Sequence, residues 1–329
     1  MMSTMDLRYH LFELSARHQL SPAAALRLQQ LAGLHEEPPG LRRWLPRLVA
    51  VLAAALGGLG LVMWVAANWA ELGRFARFGL LQGLILLLCL AAALRPAARA
   101  PLALLAFIAT GALFAYFGQT YQTGADAWQL FALWAALGLP LALAVRSDLL
   151  WAPWALVALL AITLWTQTHT GRSWRVEPGD LRVHLLGFGA MLALGAALAA
   201  PLRRFTGAGL WSLRLVALFA VIALSLAAVG GLFHVRIAPQ YGLGLLFLAL
   251  AAAGLATRRG FDVFGLSAVA LGLDALLVAG LTRLLFFHGR SGGGDPIGEF
   301  LLLSLFAAGL LAGSVTLILK LARRAEVQA

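Results

Sequence analysis

From Leu48 onward the chain runs in apolar stretches of about twenty residues, separated by polar or basic turns. Ten such stretches can be drawn, at about 48–67, 78–94, 101–117, 128–145, 149–166, 185–202, 212–233, 241–256, 261–283 and 300–319. A hydrocarbon core roughly 30 Å thick needs about 20 predominantly apolar residues to be crossed as a helix, so each stretch reads as a span. The turns around Leu149 and Ala256 are very short and make antiparallel hairpins of the spans they join. The pattern predicts an all-α, polytopic integral membrane bundle of about ten transmembrane helices over 48–324, with a short tail at 325–329.

Residues 1–47 follow a different rule. Leu7, Leu11 and Leu14 recur at helical spacing, and Ala24, Leu28 and Leu31 form a second stripe. Between the stripes, Ser21-Pro22 supplies an N-cap and a proline at the first helical position. Two short amphipathic helices are expected, too small to build an independent core and suited to packing on the membrane domain, a partner or a lipid surface. Pro38, Pro39 and Gly40 then form a linker into the first span. Glu36-Glu37-Pro38-Pro39 precedes any long apolar run, so no cleavable signal peptide is expected, and the first span can serve as an uncleaved anchor.

Composition agrees with the pattern. The chain is 61% hydrophobic and only 12% charged, where a soluble domain would carry about a quarter of charged residues. Its net charge of +11 would suggest nucleic acid in a soluble protein. Here the basic residues lie in turns between spans, with no basic stripe among exposed aromatics. The lipid bilayer is the expected partner, and nucleic acid is not. About two thirds of the 25 Lys and Arg fall on the side shared by the N-terminal segment, Arg95, Arg99, Arg146, Arg203, Arg204, Arg214, Arg258, Arg259 and the C-terminal Lys320, Arg323 and Arg324. That asymmetry predicts both termini in the cytoplasm, in a bacterial inner membrane. The single Cys89 lies in an apolar span and reads as a small buried hydrophobe.

The apolar text is broken by one polar, aromatic-rich segment, Gly118–Trp128, on the side opposite the termini. Amides and carboxylates cannot stay unsatisfied in hydrocarbon, so they line a cavity, cap helix ends or reach water. Gln119 and Gln122 would donate and accept hydrogen bonds in such a pocket, Tyr121 and Trp128 would wall it, and Asp126 would charge it. An ordinary interfacial loop with its aromatic belt explains the same residues. Asn68 and Trp69 end the first span on the same side, where Asn68 reads either as a helix cap or as part of the pocket.

Asp274 is the clearest intramembrane charge, near the middle of the ninth span. It should face the bundle interior or be protonated, and no basic residue lies one turn away, so any partner comes from another span. A proton or cation site and a hydrogen-bonded structural Asp both fit. The histidines form no HxxxH or HxH pair, and no nucleotide, hydrolase or zinc motif stands in its required context, so neither a metal nor a cofactor is expected. Gly309 and Gly313 form a GxxxG in the last span, which suits close helix packing.

The run Ala66-Ala67-Asn68-Trp69, then Gly118-Gln119-Thr120-Tyr121-Gln122, Asp126-Ala127-Trp128 and Leu133-Trp134 resembles the bacterial predicted-membrane-protein family called domain of unknown function 2157. The opening, Leu14 to Leu31 with Gln19-Leu20-Ser21-Pro22, is similar to that family's short N-terminal helical segment. The resemblance covers about residues 7–148. Pro296, after Gly294-Asp295, stands where related proteins would carry an aromatic residue. The resemblance implies a membrane protein and brings no activity with it.

Three function classes stay open. A small molecule or ion is bound or passed through a polar pocket built from the first, third, fourth and ninth spans. Alternatively, residues 7–31 dock a cytoplasmic protein in a structural or signalling complex, which includes a homo-oligomer or a membrane partner. In the third, the chain is a membrane enzyme acting on lipid or envelope substrate, although no catalytic constellation appears.

Overall fold

The computed structural model describes residues 4–32, 39–67, 71–121, 124–171, 176–257, 260–287 and 296–326, which form helices and turns with no strand. The chain falls into two compact units, Met1–Ala67 and Asn68–Ala329.

The first unit holds α1 (Thr4–Arg17), α2 (Pro22–Leu31) and α3 (Pro39–Ala67). Gln19 turns the chain between α1 and α2 at a φ of 48°, and the Leu20 N–H closes on the Ser15 carbonyl at 3.0 Å. Ser21 caps α2 as its residue type suggests, its Oγ accepting from the Ala24 N–H at 3.3 Å ahead of Pro22. α3 includes the whole of the first predicted span.

The second unit is the bundle: α4 (Arg74–Leu94), α5 (Arg99–Tyr121), α6 (Ala127–Val145), α7 (Asp148–His169), α8 (Leu181–Leu198), the single turn α9 (Arg203–Thr206), α10 (Leu210–Leu232), α11 (Pro239–Leu255), α12 (Val263–Phe286) and α13 (Pro296–Glu326). Eight helices among the described residues are long and apolar enough to cross a membrane, and α11, with 17 residues, is a shorter apolar helix. With α11 and α3, about ten spans stand as the sequence predicts. The protein is an all-α, polytopic membrane protein.

α7 and α10 form the interior. α6 and α7 pack as a tight hairpin, α7 packs on α10, and α10 in turn meets α11 and α12. α4 lies on α5 at one flank, α13 on α12 at the other, and α8 fills in against α7, α10 and α11. Small residues let these backbones approach: Ala103, Ala106, Ala142, Ala155 and Ala228 are fully buried. In lipid, where apolar burial gives little drive between helices, such close packing has to carry association.

The sharpest approach joins α5 to α6. Gly111 lies under the Trp134 indole and Gly138 under the Phe107 ring, each with no room for a Cβ. Those two rings stack at 5.0 Å, and Trp134 Nε1 donates to the Phe107 carbonyl at 2.8 Å. Trp154 and Trp151 repeat the device, donating to Ala135 and Thr206 carbonyls at 2.8 Å each. A buried indole thus satisfies its N–H on a helix while filling the interface with its ring.

Candidate functional site

The polar break between the third and fourth spans is shorter than the sequence suggests. α5 continues past the expected end at 117 to Tyr121, because the Thr120 hydroxyl folds back on the Tyr116 carbonyl at 2.8 Å and the aromatic side chains find partners. Tyr121 stacks on Phe78 of α4 at 5.9 Å and lies 4.9 Å from the Phe117 ring. Tyr116 and Phe78 complete this cluster at 4.7 Å. Gly124, at a φ of 65°, turns the chain, and Asp126 precedes α6 in extended conformation without a side-chain cap bond.

Of the sequence-predicted pocket residues, Asn68, Trp69 and Gln122 lie outside the described residues. Gln119 and Tyr121 present exposed side chains, while Asp126 and Trp128 are half-buried. Trp128 faces the His169 ring at the end of α7, 6.2 Å away. Its indole Nε1 is enclosed and has no hydrogen-bond partner among the described residues.

Asp274 stands at the middle of the 24-residue α12, turned to α13, where the Ser314 hydroxyl donates to its Oδ1 at 3.0 Å. Its Oδ2 is buried with no hydrogen-bond partner among the described residues, and no described cation pairs with it. An acceptor left open at that depth is costly, since neither lipid nor a neighbouring side chain offers a donor. α12 packs chiefly on α10, α11 and α13, whereas α5 packs chiefly on α4, α6 and α7. Asp274 and the Gly118–Trp128 segment therefore occupy separate parts of the bundle, with α7 and α10 between them.

Sequence reading passed over the polar groups that tie helix ends together. Asp148, at the start of α7, accepts the N–H groups of Gly209, Trp211 and Ser212 at 3.0, 2.8 and 3.1 Å and so caps α10. Arg214 of α10 grips Asp262, which caps α12 by accepting the Gly265 N–H at 2.8 Å. At the opposite end Gln240 is fully buried, and its amide donates to the Glu177 carbonyl at 2.6 Å. Arg283 donates to the His234 carbonyl at 2.8 Å. An acidic residue just ahead of an apolar run was the available signal for Asp148 and Asp262, but it names a local cap and not a partner helix. Among the described residues no group of three His, Cys, Asp or Glu stands in a metal-binding arrangement.

No curated protein and no solved structure matches the chain. Residues 13–151 match the family described as Predicted membrane protein (DUF2157), the family that the chain's motifs resemble.

Proposed function

We propose that this membrane protein binds a proton or a small cation at Asp274, at the interface of α12 and α13. One observation carries the reading: the enclosed Asp274 Oδ2 has no hydrogen-bond partner among the described residues, while Oδ1 is held by Ser314 alone. A bound proton or cation would supply the missing partner, and an intramembrane carboxylate is by default a functional site because a lipid-buried charge is so costly. The Gly118–Trp128 segment supports a second, smaller reading as a ligand corner, because the enclosed Trp128 N–H beside His169 offers an unused donor.

Carbodiimide labelling tests the main reading, since these reagents modify protonated carboxyl groups in apolar surroundings. In the purified full-length chain, Asp274 should take the label, added sodium or lithium should slow it if a cation competes, and Asp274→Asn should remove the adduct. An unlabelled Asp274 at acid and neutral pH would overturn the reading. We also infer a bacterial inner-membrane location with both termini cytoplasmic, from the asymmetry of basic residues. Reporter fusions after Arg204 and Arg324 should then report cytoplasm, and an outside signal at either would refute that orientation.

A further inference from the structure

A second site does not include Asp274 in its lining. A cavity of about 260 Å³ opens between α8, α10 and α11, with Val269 of α12 in its floor. Its lining runs from Leu213 to Leu224 on α10, from Phe188 to Ala196 on α8 with Ala199 just past its end, and from Phe247 to Leu255 on α11. At 1.5 Å of rise per residue the α10 stretch alone covers about 16 Å, so the space is a slot parallel to the helices. Among the described residues Thr257 is the one polar side chain in its lining, and it stands at one end with Pro201 and Gly260. The floor residues Val216, Leu224, Leu248 and Val269 are buried, whereas Ala196, Leu250 and Gly254 along the rim are exposed. The slot therefore opens sideways, where a membrane protein meets lipid tails.

The end marked by Pro201 and Gly260 is basic. Arg203 begins α9 two residues beyond Pro201 and acts electrostatically on Asp262. Asp262 is already gripped by Arg214, and Asp148 is taken up by three backbone N–H groups. Asp148 and Asp262 are thus committed, and Arg203 Nε is buried with no hydrogen-bond partner among the described residues. Arg204, beside it, lies over Phe205 at 4.5 Å. An elongated apolar slot whose end at Pro201 stands two residues from an arginine with an unused donor matches one chemistry: an acyl chain carrying an anionic phosphate head.

The geometry points to a binding site for an anionic phospholipid, one acyl chain lying in the slot between α8, α10 and α11 and its phosphate at Arg203. The occupant is a bilayer lipid because the slot opens to the hydrocarbon, and a soluble phosphate compound would leave it empty. A dry cavity of about 150 Å³ accepts a benzene, so this one has room for a run of methylene groups. The bilayer supplies the ligand at high local concentration, and one arginine near the headgroups biases the choice toward anionic lipid.

Native mass spectrometry of the full-length chain, incubated with equal amounts of phosphatidylglycerol and phosphatidylcholine, tests the site. The wild type should hold phosphatidylglycerol preferentially. Gly195→Leu with Gly254→Leu should fill the slot with little disturbance, because a Cβ at Gly254 meets nothing within 4 Å and one at Gly195 meets only Val216 at 3.6 Å. That variant should lose bound lipid by about tenfold or more. Arg203→Gln should lower the preference for phosphatidylglycerol by about fivefold while leaving phosphatidylcholine binding alone. A series of lysophosphatidylglycerols on the wild type supplies an arm that needs no variant, and affinity should rise with acyl length. A wild type without bound lipid, a folded slot-filled variant that holds lipid as the wild type does, an unchanged preference in Arg203→Gln, or an affinity flat with acyl length would each overturn the proposal.

Discussion

Arg214 donates to both carboxylate oxygens of Asp262, from Nη2 at 2.9 Å and from Nε at 3.2 and 3.3 Å, across 48 residues of sequence. Asp262 is almost wholly buried, and the same carboxylate caps α12, so one side chain ties the start of α10 to the start of α12. Removing one partner of a buried pair leaves the other charge uncompensated, which costs about 3–5 kcal/mol. Asp262→Ala should therefore lower the thermal unfolding temperature of the purified protein far more than the double variant Asp262→Ala with Arg214→Leu lowers it further. Additive losses would mean that the two groups act independently.

The same pair sets an acid limit. Burial pushes the Asp262 carboxyl up, but the hydrogen bonds from Arg214 and the Gly265 N–H, with the charges of Arg214 and Arg203, outweigh it and hold the group below the usual carboxylate range. The unfolded chain, with an aspartate near about 3.9, then binds the proton more readily than the folded one. The stabilisation is full above that value and disappears as pH falls through the lower folded one. As pH falls below about 4 the wild type should lose stability more steeply than Asp262→Asn, as read from melting curves at each pH. Parallel acid profiles would refute this.

Asp148 serves α10 from outside its sequence. Its two oxygens take three N–H groups at the first turn of α10, where the helix dipole also favours a negative charge. Asp148→Ala should destabilise the fold by about 1–3 kcal/mol, and Asp148→Asn, which keeps one acceptor oxygen, should fall between it and the wild type. An Asp148→Ala melting curve identical to the wild type would show that water replaces the cap.

Two kinds of glycine should separate cleanly. A methyl group at Gly111 would enter the Trp134 ring, and one at Gly138 the Phe107 ring, so Gly111→Ala or Gly138→Ala should cost about 1–3 kcal/mol through overpacking. Gly309, on α13, meets nothing within 4 Å, and Gly309→Ala should be neutral or stabilising by up to about 1 kcal/mol from helix propensity. A clear loss at Gly309 in the melting temperature would reveal a partner helix seated on that face.

Periodicity made the helices readable because it is local: each apolar stretch drawn on the sequence marks a helix, from α3 to α13, although the one at 185–202 overruns the end of α8 at Leu198. Ends were less legible where side chains act against composition. Gln119-Thr120-Tyr121 looks like a loop by polarity, yet Thr120 and the stack on Phe78 keep it helical. Asp274 advertised itself by charge alone, and its partner Ser314 stands forty residues away on α13. Nothing in the text near Arg214 or Asp148 announces what each will hold, because those pairings exist only once α7, α10 and α12 are side by side. The slot between α8, α10 and α11 is invisible for a related reason: a void is a property of packing, and its apolar lining reads as ordinary membrane-helix sequence.

Asp274 should prove expendable for the fold. Elsewhere on α13 the Ser304 and Thr316 hydroxyls bond back to the carbonyls of Phe300 and Ala312 at 2.8 and 2.7 Å. Ser314 instead reaches across to Asp274, so loss of the carboxylate lets its hydroxyl fall back to the carbonyl four residues earlier. The substitution also removes Oδ2, an enclosed acceptor with no hydrogen-bond partner among the described residues. Replacing a poorly satisfied buried polar group by an apolar one of similar size is close to neutral and sometimes stabilising. Asp274→Leu should therefore melt within about 1 kcal/mol of the wild type, or above it, and insert in the membrane at undiminished abundance. A structural role predicts the reverse, a loss of about 1–3 kcal/mol with rescue by Asp274→Asn, and melting curves of the three proteins decide between them.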